Sequence, residues 1–305
     1  MATDLDYWLQ KVDGIRAWSK DGKRAPHKPL LLLYAMAQLQ RNGRNQFIPF
    51  AVLEQPVDQL LVDFGPPNKT SSAYPFHHLT SDGLWEVHNH DGQGSPGNSA
   101  GVLRSSNAEG ELNPEFATAL LAEPLLFGAI VSLLLERNFP PTVHQDILDQ
   151  IGLEVSVNSD EIIRDSRSPE KRRRNPEFRR ELLTAYRHRC AMCGWDARLD
   201  SIDVGLEAAH VRWFNIDGPD NLTNGLLLCV LHHKLLDKGV LGITKDQRVA
   251  VSVHFLGGGR LAEDFVLNLA GKEITQPLAQ YPNVSEEHIL WHQEQVFRAP
   301  LLIAP

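Results

Sequence analysis

Four residues in two short stretches carry the spacing of metal ligands. Cys190 and Cys193 stand in "CAMCG", and Cys229 and His232 in "CVLHH". A Cys-x2-Cys and a Cys-x2-His knuckle each let one tight turn aim two donors at one ion, and a Cys3His set is a structural zinc donor set. The plainer reading is a group of buried thiols beside surface histidines. All three cysteines of the chain fall into the two knuckles, which favours a reducing compartment and a metal over a disulfide framework.

Beyond that set lies His233, four residues before Asp237, so a helix over "VLHHKLLDKG" puts both on one face, where they can hold a divalent cation. His210 stands in the apolar run "LEAAHV", a strand in which alternation sets Glu207 and Ala209 opposite it. A single strand histidine is ordinarily a satisfied core residue. Asn224 follows fourteen residues later and His233 nine after that, and this company points to chemistry.

His210, Asn224 and His233, with Asn224 five residues before Cys229, resemble the HNH endonuclease motif of the ββα-metal fold. The strings "LEAAHV", "NGLLL" and "HHKLLDKGVLGI" resemble the branch found in restriction endonucleases, over roughly residues 185–255. The resemblance implies phosphodiester hydrolysis with one divalent metal such as Mg2+ or Mn2+, separate from the structural Zn2+. His210 would be the general base, as suits an imidazole at neutral pH. His233 would hold the metal, and Asn224 would either join the metal shell or orient the His210 loop. Many relatives carry Asp immediately before the first histidine; here that residue is Ala209, with Glu207 or Asp237 as replacements.

An HNH domain by itself selects little sequence, so the front half should supply the choice. "APHKPLLLLYAM" together with "SSAYPFHHLTSDGLWEV" resembles the DNA sulfur-binding domain of McrA-type, modification-dependent (type IV) restriction endonucleases, over about residues 3–153. By that resemblance His27, Lys28, Tyr74, Pro75 and His78 form a socket for a phosphorothioate sulfur. The family commonly has Arg at the place of Lys28 and a small residue at that of His78. Sulfur is larger and less hydrated than oxygen, so an apolar socket favours it. Tyr74-Pro75 as an ordinary turn and Lys28 as a solvated helix residue are the plainer alternatives. Arg104, Ser105 and Asn107 offer base contacts or a grip on the backbone, since Arg reads guanine and Asn adenine. The whole resemblance implies an endonuclease acting on phosphorothioated duplex DNA in the cytoplasm. Readers of a modified base by base flipping, or a non-catalytic zinc DNA-binding protein, are the alternatives; the latter has no need of His210, Asn224 and His233 together. Since one centre cuts one strand, a two-fold homodimer is expected, with Ile289, Leu290, Trp291, Val296 and Phe297 as a contact surface or else simple core.

The bulk composition fits this plan. The chain has 305 residues, 42% hydrophobic and 22% charged, enough for two domains. A net charge of −8 gives no general attraction to nucleic acid, but residues 161–190 hold ten Arg or Lys against five acids. Lys171, Arg172, Arg173 and Arg174 in that run are candidate phosphate contacts. The first residues are acidic and amphipathic, unlike a secretory signal, and the apolar run Pro29 to Leu39 is too short to cross a bilayer.

The expected class is α+β: a mainly helical DNA-reading domain over residues 1–155, a basic linker over 156–175, and a ββα-metal domain with a structural zinc over 176–305. Helices are expected over 4–19, after Pro29 to Gly43, over the segment containing Pro56 with a break or bend there, from Pro114 to about Asn138, and from Thr142 to Ile151. "YPFHHLTSDGLWEV" reads as extended chain around Asp82-Gly83, and residues 88–113 as a long polar loop. "NPEFRRELLTAYRHRC" reads as a helix running into the first knuckle, "VLGIT" and "RVAVSVHF" as strands, and "SEEHILWHQEQVFR" as a terminal helix.

Overall fold

The computed structural model describes residues 4–15, 22–68, 70–155 and 175–302. The chain divides into two compact units, Met1–Lys171 and Arg172–Pro305. The basic run Lys171, Arg172, Arg173 and Arg174 lies outside the described residues.

The first unit is built around one buried helix. Helix α1 is Asp4–Asp13, and α2 is His27–Asn42. Leucines 30 to 33 and Met36 of α2 are fully buried. A helix apolar all round must be enclosed, and α3 (Phe50–Phe64), α4 (Ala73–His78), α6 (Pro114–Ala122), α7 (Pro124–Asn138) and α8 (His144–Ile151) supply the enclosure. Gly43 ends α2 in the left-handed region, at φ 64°. A small antiparallel sheet of order β1-β4-β2-β3 completes the unit: β1 is Ile48–Pro49, β2 Trp85–Asn89, β3 Gly92–Gln93 and β4 Glu109–Leu112, with the short α5 (Ala100–Ser105) before β4.

Several local expectations are corrected. Pro56 lies inside a continuous α3 and does not break it; Val52, whose carbonyl loses its partner, is 61% exposed, so water can satisfy it. The expected helix over 114–138 is two helices meeting at 114°. Pro124 forces Glu123 out of the helical region, to φ −130° and ψ 94°. "YPFHH" is helical, because Pro75 sits in the first turn of α4, where its missing N–H costs nothing. Residues 88–113 contain β3, α5 and β4, so they are not one polar loop. Among the described residues no single helix is long and apolar enough to cross a membrane.

The second unit holds a ββα core. Helix α9 (Pro176–Ala185) starts from Asn175, whose side chain accepts the Glu177 amide. A minor hairpin, β5 (Arg198–Leu199) with β6 (Ile202–Asp203), precedes the main one. In the main hairpin β7 (Leu206–His210) pairs with β8 (Gly225–Cys229), from Leu206 opposite Cys229 to His210 opposite Gly225. Helix α10 (Val230–Asp237) leaves β8 directly. Strands β9 (Leu241–Ile243) and β10 (Val249–Val251) form a second antiparallel pair, followed by α11 (Arg260–Phe265) and α12 (Glu286–Gln295). Of the two readings of the C-terminal segment, the structure has domain core: Ile289, Trp291, Val296 and Phe297 are buried within the unit and Leu290 is partly buried. Trp213 meets Trp291 edge-on at 6.0 Å, so α12 buttresses the loop after β7.

Candidate active site and metal centre

The two knuckles meet. The donor atoms of Cys190, Cys193, Cys229 and His232 all lie within 4.8 Å of one another. Cys229 Sγ is 3.2 Å from His232 Nδ1, and Cys190 Sγ 3.5 Å from the same nitrogen. The first knuckle is closed by the Gly194 amide donating to the Cys190 carbonyl and is tied to β8 by Ala191 N–H to the Leu227 carbonyl. His232 Nε2 sits 2.8 Å from the Phe265 carbonyl. That contact places the ring proton on Nε2 and turns the Nδ1 lone pair toward the sulfurs, as a metal-bound histidine requires. Hydrogen bonds with Cys193 and Cys229 pull the Cys190 thiol below its ordinary range, while those with Cys190 and Cys229 push Cys193 up. A buried, convergent Cys3His set with an oriented histidine fits zinc.

Glu207, His233 and Asp237 also come together. His233 Nδ1 lies 2.7 Å from Glu207 Oε2, and its Nε2 lies 3.3 Å from Asp237 Oδ2. Glu207 is held below the usual carboxylate range by the His233 hydrogen bond, with Arg179 helping. The two carboxylates engage opposite nitrogens of one ring. They therefore do not converge on a point with it, and among the described residues the Cys3His set is the one group whose donors do. His233 Nε2 and Asp237 Oδ2, 3.3 Å apart, are the pair that could hold a cation, with Glu207 on the other side of the ring.

His210 ends β7. Its Nε2 lies 2.6 Å from Asp220 Oδ1, its ring stacks on Phe178 at 4.6 Å and 29°, and Phe214 approaches at 5.7 Å. Gly225, opposite His210, makes room for this stack: a Cβ there would come within 2.7 Å of the Phe178 ring. Asp220 escaped the sequence reading. Its one signal is a carboxylate four residues before Asn224 in a loop that the motif requires.

Asn224 is fully buried. Its Oδ1 accepts the Arg212 amide at 2.7 Å, and its Nδ2 donates to the carbonyls of Arg212 at 2.9 Å and Pro219 at 3.1 Å. Of the two roles open to Asn224, this geometry is that of a loop anchor. The loop curls tightly, and a Cβ on Gly218 would lie 1.8 Å from the Arg212 carbonyl oxygen.

In the first unit four rings gather. Tyr74 lies 4.3 Å from His78 and 6.0 Å from His27, and His77 packs on His78 at 4.7 Å. Tyr74 remains 38% exposed, whereas Pro75 beside it is buried. Burial, followed by the charge of Arg24, lowers His27 to about 4, and burial with its His77 and Lys28 neighbours lowers His78. His27 and His78 are therefore uncharged at neutral pH. Lys28 departs from both sequence readings: it is buried, and its Nζ pairs with Asp82 Oδ2 at 2.6 Å. Its charge is thus already matched. Arg104 is engaged by Glu54 at 2.6 Å, Ser105 donates to the Val102 carbonyl, and Asn107 occupies the left-handed region at φ 49°.

Residues 6–156 match the family model of the ScoMcrA-like DNA sulfur-binding domain, and residues 190–244 that of the HNH endonuclease. The chain joins a ScoMcrA-like DNA sulfur-binding domain to an HNH domain. The ring cluster of Tyr74, His78 and His27 lies in the sulfur-binding domain, and both the zinc knuckles and His210 lie in the HNH domain. No curated protein matches the chain. Among solved structures, it is similar to the sulfur-binding domain of SprMcrA complexed with phosphorothioated DNA, at 22% identity over 52% of this chain and 97% of that one, with a TM-score of 0.43. The corresponding ScoMcrA domain complexed with phosphorothioated DNA gives 20% identity, 51% and 98% coverage, and a TM-score of 0.41. The modification-dependent TagI restriction endonuclease gives 24% identity over 47% of this chain and 40% of that one, with a TM-score of 0.29.

Proposed function

We propose that the chain is a modification-dependent endonuclease that binds phosphorothioated duplex DNA through residues 1–155 and hydrolyses phosphodiester bonds through His210. The observation that carries this reading is the pairing in one chain of a sulfur-binding domain with an HNH domain. Two features of the chain's own residues support it. The half-exposed Tyr74, flanked by uncharged His27 and His78, offers a large apolar surface, which suits a poorly hydrated sulfur better than a phosphate oxygen. His210 is held by its partners in one orientation at a strand end, as a general base must be.

His210 takes the proton of the attacking water, and Asn224 keeps the loop beside it in shape. A divalent ion, when bound, would polarise the scissile phosphate. The test is incubation of the purified protein with matched thioated and unmodified duplexes, with and without added Mg2+ or Mn2+. Cutting confined to the thioated duplex and dependent on metal is expected. Equal cutting of both would remove the sulfur reading, and no cutting of either under any metal would remove the nuclease.

A further inference from the structure

We propose that Asp220 is the positioning residue of His210, fixing which ring nitrogen carries the proton and holding the ring against Phe178; this rests on the reading of the second unit as a DNA-hydrolysing domain. Both oxygens of Asp220 are committed. Oδ1 lies 2.6 Å from His210 Nε2, and Oδ2 accepts the backbone N–H of Asn175 at 2.6 Å. Asn175 is the residue from which α9 starts, and α9 carries Phe178, whose ring covers the face of His210. One carboxylate, 9% exposed, therefore joins the edge of the imidazole to the helix that supplies its stacking partner.

The same carboxylate explains how Asn224 can act on His210 without touching it. Asn224 holds the Pro219 carbonyl, one residue before Asp220, and both the N–H and the carbonyl of Arg212. The loop is pinned at that point, and Asp220 is delivered to the ring.

The chemistry follows from the inventory of a neutral imidazole, which has one N–H and one lone pair. A carboxylate facing Nε2 requires the proton there, so the lone pair sits on Nδ1. Nδ1 is then the nitrogen that takes the proton from water. The water oxygen forms its bond to phosphorus, the bond from phosphorus to the leaving oxygen breaks, and the leaving oxygen takes a proton from solvent. The positive charge that develops on His210 is met by Asp220, whose place is already set.

The test uses the full chain with a thioated duplex. Asp220→Asn keeps an acceptor for the Asn175 amide but loses the charge and admits the wrong tautomer. Turnover is expected to fall by roughly a hundred-fold or more, with duplex affinity within about two-fold of the parent, and Asp220→Glu should recover part of the loss. Parent turnover in Asp220→Asn would overturn the assignment. Imidazole nitrogen NMR of the parent, with His210 assigned by its loss in His210→Gln, gives a measurement that needs no Asp220 variant: an Nε2–H tautomer is expected, and an Nδ1–H tautomer overturns the proposal. Should the parent cut no DNA, the functional reading falls and the tautomer still decides the role of Asp220.

Discussion

Replacing Asn224 by Ala separates a loop anchor from a metal ligand. The side chain is fully buried and serves three backbone groups: the Arg212 N–H, the Arg212 carbonyl and the Pro219 carbonyl. A buried polar group left without a partner costs about 1–3 kcal/mol, and water entering the space left by the amide recovers part of that. A total near 3 kcal/mol is expected, or roughly a hundred-fold in the local opening equilibrium. Hydrogen exchange of the Arg212 amide in metal-free and metal-loaded protein is the assay. Protection should fall by about two orders of magnitude in both, because the anchor needs no ion. Asn224→Asp should do no better, since it keeps the acceptor but sets a carboxylate against two carbonyls. Unchanged protection without metal, with loss only when metal is added, would refute the anchor and restore Asn224 to the metal shell.

Cys229→Ser should lose the zinc, about one ion per chain in the parent by elemental analysis, and destabilise the second unit; zinc loss with unchanged thermal unfolding would contradict the structural role. His27 takes up its proton at about 4 when folded and at about 6.5 when unfolded. Between those values the unfolded state binds more protons, so the first unit should lose stability as pH falls from about 6.5 to 4, by up to about 3 kcal/mol, and His27→Gln should flatten that slope; identical slopes would show that His27 contributes nothing. Asp82→Ala strands the buried Lys28 ammonium and should cost about 3–5 kcal/mol by denaturant unfolding, whereas a loss below about 1 kcal/mol would show the pair to be solvated. Tyr74→Ala should lower the preference for thioated DNA while leaving weak general binding, read by titration of both duplexes.

The sequence makes the metal centre legible because each knuckle is local: Cys190 with Cys193 and Cys229 with His232 are set by single turns, and only the meeting of the two turns is tertiary. The buried α2 is legible for a similar reason, since a run such as Leu30 to Leu33 has no polar face to offer water. The junction at Pro124 is misread because apolar content continues across it, while the steric effect of proline on Glu123 is local and strong. Residues 88–113 look like a loop because β3, α5 and β4 are short, and the pairing of β4 with β2 comes from distant chain. Lys28 looks solvated from composition alone, since its partner Asp82 is 54 residues away. Asp220 is hidden for the same reason: a carboxylate in a polar loop has no pattern of its own until the β7–β8 hairpin brings it to His210.

The central claim is that the first unit distinguishes sulfur from oxygen on the DNA backbone. Burying a sulfur-sized surface against Tyr74 and its neighbours is worth roughly 1–2 kcal/mol, or about five- to thirty-fold in affinity. Charged contacts add to both duplexes alike and weaken with salt, so titration of matched thioated and unmodified duplexes at one fixed salt concentration isolates the sulfur. Tighter binding of the thioated duplex by at least about five-fold is expected, and equal affinity for the two would contradict sulfur recognition by the first unit.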